Sequence, residues 1–367
     1  MASRINESDL KTVDYMNIKL NQLYGSFKGG NALKIYLGDL GTHITGYWDT
    51  NFIRETRDWI INTFPEEKPI DEDFYANFRA LLFFFQMIGG IGFFFLIIEP
   101  ICNVIFRSDK GIISALDMRD KEVKSFIFQT ILYSLFFGLG ATILLYCSLL
   151  LVKLPLINII ISLFFGMSVG ILIMFWRFGK KRKTKLIGIL KTPFMGTKLY
   201  KTKQILVGLI LSILLFSILE FGIGMNYLGL KPSIEKILWT PVCFLLLTLI
   251  FLIYGICFQL IFQEKFRKNF FGLLKTGICM FMTQILYFLI IMIILSVLGT
   301  NFYFIGIILP IMTPIVLLLS FISSITYQKS GNIITGIIIN SFLIILIFTS
   351  ISPLQSSIGF LDYLFSS

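Results

Sequence analysis

The hydrophobic pattern changes character once along this chain, near residue 80. Beyond that point long apolar runs follow one another, broken only by short charged or polar loops. Eight such runs cover roughly 81–106, 126–152, 156–176, 204–229, 237–263, 271–298, 304–327 and 332–352. Each is near or above the ~20 residues a helix needs to cross the hydrocarbon core of a bilayer. A backbone in lipid must satisfy its own hydrogen bonds, so these runs are expected as helices. The predicted class is mainly α: a polytopic helical membrane protein of about eight transmembrane helices, with a small N-terminal α/β segment.

Before residue 80 the periods are shorter. Met16–Leu23 has apolar spacing compatible with a helix, and Gly25, Gly29 and Gly30 then interrupt it. Ala32–Leu37 partly alternates and predicts a short strand. A polar, Gly-bearing loop from Gly38 to His43 follows. Asp49, Thr50 and Asn51 are N-cap candidates for an amphipathic helix over 52–64, which Pro65 ends. The acidic stretch from Glu66 to Asp73 reads as a solvated linker. The expected organisation is a segment over 1–65, a linker over 66–80, the membrane domain over 81–352 and a short tail over 353–367.

Charge orients the spans. The stretch from Arg177 to Lys203 holds ten Lys or Arg and no Asp or Glu, between two membrane runs. Lys/Arg excess in short loops marks the cytoplasmic side. Counted with that loop, alternate loops carry 19 basic residues and the opposite ones carry Lys153, Lys231 and Lys236. Both termini and residues 1–78 are therefore expected outside the cytoplasm, in a plasma-membrane protein. Residues 1–78 contain eight Lys/Arg against twelve Asp/Glu. The net charge of +11 thus comes from the membrane loops. That distribution points to the bilayer and its anionic head groups as partners rather than to nucleic acid.

Composition agrees: 56% of the 367 residues are hydrophobic and the mean hydropathy is +0.83. The cysteines (102, 147, 243, 257 and 279) all lie in apolar runs without metal-ligand spacing, so no metal or cofactor is expected. No signal-peptide pattern opens the sequence.

Within the spans, Glu99 and Glu220 are the charged exceptions and possible intramembrane polar sites. Glu220 is expected about ten residues from the outer end of its helix. Its structural reading is a protonated or hydrogen-bonded carboxyl facing Gln129, Gln284 or Asn340 inside the bundle. Pro310 and Pro314 predict a kink in the seventh span. An internal repeat at an offset of 155 is a further possibility, from Ile101-Cys102 with Ile256-Cys257 and Gln129 with Gln284. The string Gly166-Met167-Ser168-Val169-Gly170 has the form G-x-S-x-G but sits inside an apolar run. It is read as small-residue helix packing.

The stretch Ala32–Phe64 (ALKIYLGDLGTHITGYWDTNFIRETRDWIINTF) resembles the C-terminal end of the α/β-hydrolase fold. That family follows its last strand with the base of a Ser-His-acid triad and then a closing helix. The resemblance implies that His43 is the general base and that Asp9 is the acid, with Asp14 and Glu7 as alternatives. A serine nucleophile on a strand-to-helix elbow, upstream of both, completes the family pattern. Ser168 follows His43 and lies in a membrane run, so it does not match. The resemblance covers about 60 residues. It implies a membrane-anchored remnant or C-terminal part of a serine hydrolase acting on esters or amides. Such a chain is inactive alone, and a separate chain would supply the missing strands. The rival expectations are a transporter or permease-like bundle with an N-terminal appendage, and a lipid- or partner-binding membrane subunit.

Overall fold

The structure, a computed structural model, describes residues 19–36, 49–66, 76–106, 120–149, 153–181, 185–195, 198–222, 231–266, 270–297 and 302–354. They divide into two compact units, residues 1–88 and 89–367.

In the first unit β1 (Leu23–Tyr24) and β2 (Leu33–Lys34) pair antiparallel, Leu23 opposite Lys34 and Tyr24 opposite Leu33. The hairpin corrects the helix expected to run to Leu23. Asn21 (φ +64°) and Gly25 (φ +73°) take left-handed backbone values that stop a helix. At Gly25 a side chain would also meet the Asn31 carbonyl. The expected strand forms at Leu33–Lys34, and the expected helix forms as α1 (Thr50–Thr63). Asp49 caps α1: its Oδ1 accepts from the amides of Asn51 at 2.9 Å and Phe52 at 3.2 Å. Three positions on one face of α1 meet the hairpin. Glu55 pairs with Lys34 at 2.5 Å, Trp59 packs edge-on to Phe27, and Phe52 faces Tyr36. No residue of α1 is buried, and Ile60 and Phe64 are 54% and 58% exposed.

Among the described residues, eight helices are long and apolar enough to cross a membrane, one of them (over 240–263) together with the π-helical turns that continue it. They are α2 (Ala76–Phe106), α3 (Asp120–Ser148), α4 (Pro155–Lys181), α6 (Lys198–Ser217), α8 (Thr240–Tyr254), α9 (Phe270–Val297), α10 (Phe302–Ser330) and α11 (Ile334–Ile351). Short helices α5 (Leu186–Lys191) and α7 (Ile234–Ile237) lie between them. The chain is a multi-pass helical membrane protein. α4 continues to Lys181 and α6 starts at Lys198, so basic residues assigned to a loop extend both helices. Long Lys and Arg side chains can do this because their stems run along apolar surface while the charge reaches water. α10 runs unbroken through Pro310 and Pro314.

Cross-helix hydrogen bonds join ends that alternation requires to be neighbours. Near the start of α6, Tyr200 OH (3.0 Å) and Gln204 Nε2 (3.4 Å) donate to the Ser330 carbonyl at the end of α10. At the other ends, the Leu156 amide at the start of α4 donates to Ser352 Oγ just past α11, at 3.2 Å.

α3 and α4 approach each other closely. A Cβ on Gly166 would collide with Thr142 Oγ1 and Tyr287 OH, and one on Gly138 would lie 2.9 Å from the Gly166 carbonyl. A Cβ on Gly170 would strike the Ser134 backbone. Ser134, Gly138 and Thr142 thus face Gly166 and Gly170 at four-residue spacing, the close-approach geometry of small residues in lipid. Ser168, between the two glycines, is buried and its hydroxyl donates to the Phe165 carbonyl at 2.7 Å. The G-x-S-x-G string is part of this seam.

Candidate functional site: an intramembrane polar pocket

α8 does not end as an α-helix. From Gly255 to Gln263 it widens to π-helical turns, and all nine residues are buried. Such widening disturbs the regular backbone ladder and recurs at functional sites. It carries Gln259 and Gln263 toward α9 and α10. Gln259 Nε2 meets Met280 Sδ at 3.4 Å, and Gln263 Nε2 donates to the Ser324 carbonyl at 2.7 Å. The Oε1 atoms of both amides are buried without a hydrogen-bond partner among the described residues. On α11, Asn340 Nδ2 donates to Ser323 Oγ (2.7 Å) and the Leu319 carbonyl (3.1 Å), and its Oδ1 is likewise unpartnered.

Gln259 and Ser323 line a small cavity with Tyr254, Gly255, Ile333 and Ile337. A Cβ at Gly255 would lie 3.0 Å from the Ile333 side chain, which would have to give by a few tenths of an ångström. The cavity measures about 10 Å³, close to the least that holds one water. Its chemistry is that of neutral acceptors: it can take an O–H or N–H donor, and no carboxylate lines it.

Glu220 lies elsewhere, in a π-helical turn (Ile218–Gly222) that continues α6. It is 7% exposed; Oε1 pairs with Lys231 Nζ at 3.0 Å, and Oε2 is unpartnered among the described residues. This differs from the expected partners. Gln129 Nε2 donates to Ser125 Oγ at 3.0 Å, and Asn340 serves α10. Gln284 is fully buried with neither amide atom bonded among the described residues. The expected outer end of the Glu220 helix lies outside the described residues. Glu99 on α2 pairs with Lys329 near the end of α10 at 2.5 Å. The proposed repeat partners also differ in setting, since Gln129 is partly exposed and Gln284 is not.

His43 and Asp9, and the alternatives Asp14 and Glu7, lie outside the described residues. What is described around His43 is β2 before it and the Asp49-capped α1 after it. Among the described residues, no three of His, Cys, Asp or Glu are grouped to hold a metal.

Comparisons of this chain with known protein families, with curated proteins and with solved structures found no match.

Sequence reasoning passed over Gln259 and Gln263. Their signal was present, two amides four residues apart in FQLIFQ, on one face of an otherwise apolar run. The π-helical turns had no such signal.

Proposed function

We propose that this chain is the membrane-anchored C-terminal part of a serine hydrolase for esters or amides. His43 would be its general base and Asp9 its acid. The supporting observation is α1 itself. A capped amphipathic helix follows His43, as in the hydrolase pattern, yet none of its residues is buried. An exposed apolar helix face of this kind fits a fold whose remaining strands come from elsewhere. The nucleophile would come with them, since Ser168 is buried within α4 and its hydroxyl is bonded to the Phe165 carbonyl of the same helix. In this reading the module is displayed outside the plasma membrane, and the basic loops meet anionic head groups on the cytoplasmic side.

The test is labelling of the membrane-embedded chain with a serine-directed fluorophosphonate. The chain alone should stay unlabelled. Co-expression with a polypeptide encoded beside it, carrying a strand, a G-x-S-x-G turn and a helix, should restore labelling and hydrolysis. His43→Ala should then lower turnover roughly a thousandfold or more. Labelling of the chain alone that vanishes in Ser168→Ala defeats the proposal.

A second reading rests on the π-helical pocket: a permease-like bundle in which the cavity, here sized for one water, widens for a small polar solute contacting Gln259 and Ser323. Uptake into proteoliposomes that falls in Gln259→Leu but not in His43→Ala favours it over the hydrolase.

A further inference from the structure

The connection between α4 and α6 is too short to cross a bilayer and too apolar to sit in water. α5 is six residues long and passes directly into a 3-10 turn, Thr192–Phe194. One side of this segment is fastened to the bundle. Ile189, Thr192 and Pro193 are buried, and the Pro193 carbonyl accepts from Asn332 Nδ2 at 3.4 Å in the turn between α10 and α11. The other side is exposed. Ile187 is 63% and Leu199 65% exposed, with Phe194 and Met195 exposed between them. Lys185 and Lys191 are exposed beside these apolar side chains, and no acidic residue occurs from Arg177 to Lys203.

A second observation marks the level of this segment in the membrane. The last turns of α4 leading into it carry Trp176, exposed, with Lys180 Nζ 5.8 Å from its ring centre. Arg177 lies over the Tyr133 ring from α3 at 5.7 Å and donates to its hydroxyl. Trp and Tyr paired with Lys and Arg belong to the head-group level, where an apolar ring and a charge are both solvated. The segment therefore emerges at the depth where an in-plane amphipathic element is stable.

We propose that residues 185–195, together with Leu199, form an in-plane seat for anionic phospholipid. Ile187, Phe194, Met195 and Leu199 enter the acyl boundary, and Lys185 and Lys191 meet the phosphates. This rests on the reading that the basic loops contact anionic lipid, and it adds which residues do so and in what posture. The physical basis is the combination of buried apolar area with charge attraction, which gives surface helices their preference for anionic membranes. The anchor at Asn332 ties the seat to the turn that leads into Ile333 and Ile337 of the polar pocket.

The full chain in nanodiscs of phosphatidylcholine, with or without phosphatidylglycerol, tests this by two readouts. The first is the affinity of spin-labelled phosphatidylglycerol relative to phosphatidylcholine. Lys185→Gln with Lys191→Gln should lower it at low salt, by roughly fivefold per lysine. The second is amide exchange over 186–195. Ile187→Ser with Phe194→Ser should speed it in the bilayer while the thermal midpoint in detergent stays unchanged, because both side chains face away from the bundle. Unchanged lipid preference in the lysine variant overturns the proposal, and so does unchanged exchange in the serine variant. Both leaflets of a nanodisc carry the same lipid, so failure here leaves the sidedness and the hydrolase reading standing.

Discussion

The α3–α4 pair and the bed of α11 hold helices together with different emphasis. At the middle of the α3–α4 contact Gly138, Gly166 and Gly170 let the backbones meet, and side-chain bonds, Thr130 to Met174 Sδ and Arg177 to the Tyr133 hydroxyl, join the pair toward the end of α4. α11 is instead fastened by polar side chains, each to a different neighbour. Thr335 Oγ1 donates to Gln204 Oε1 on α6 at 2.6 Å, Asn340 donates to α10, and Thr248 of α8 donates to Ser341 at 3.4 Å. Lipid offers helices no hydrophobic reason to associate, so contact area or hydrogen bonds must supply it. The glycine seam maximises area and tolerates no added atom. The hydrogen-bonded helix tolerates loss of one partner because others remain.

The largest effect should come from Gly166→Leu, whose side chain has nowhere to go. Overpacking of a tight contact costs about 1–3 kcal/mol or more, and here the Gly138 carbonyl, 2.5 Å from the new Cβ, is backbone that cannot rotate away. Loss of a monodisperse protein, or a large drop in thermal midpoint, is expected on size exclusion and melting. Asn340→Leu should be next, at about 1–2 kcal/mol, by equilibrium unfolding in mixed micelles. If it equals Gly166→Leu, the contrast between the two regions fails.

Tyr287→Phe separates the terms within the seam. It removes a hydroxyl bonded to Thr142 Oγ1 at 3.1 Å, at a cost of roughly 0.6 kcal/mol. Combined with Gly166→Ala it should recover part of that variant's loss, because the hydroxyl is one of the atoms the new methyl strikes. Full recovery would mean that the Gly138 carbonyl yields after all. Thr248→Val should be smallest, a few tenths of a kcal/mol or less, since its 3.4 Å contact is long for a hydroxyl pair.

The eight spans were legible because each is a local property: length and apolarity. The seam was legible too, since Gly166 and Gly170 sit one helical turn apart with Ser168 between them. Helix ends were less so. Lys198 and Lys201 look like loop residues until Tyr200 and Gln204 are seen reaching Ser330. The partner of Glu220 differs from the expected ones because three amides elsewhere in the chain look equally available in the sequence, whereas a lysine eleven residues on is nearer in space.

Sequence alone thus determined that this chain lives in a membrane, how many times it crosses, and where a short capped helix follows His43. Those features need only neighbouring residues, whose periodicity and charge act before any packing. Which helix meets which, the widening of α8 at Gly255–Gln263, the pocket beside Gln259 and the exposed side of α5 were decided by the tertiary structure. They depend on which residues far apart in the chain come to share the same few ångströms, and no local pattern encodes that.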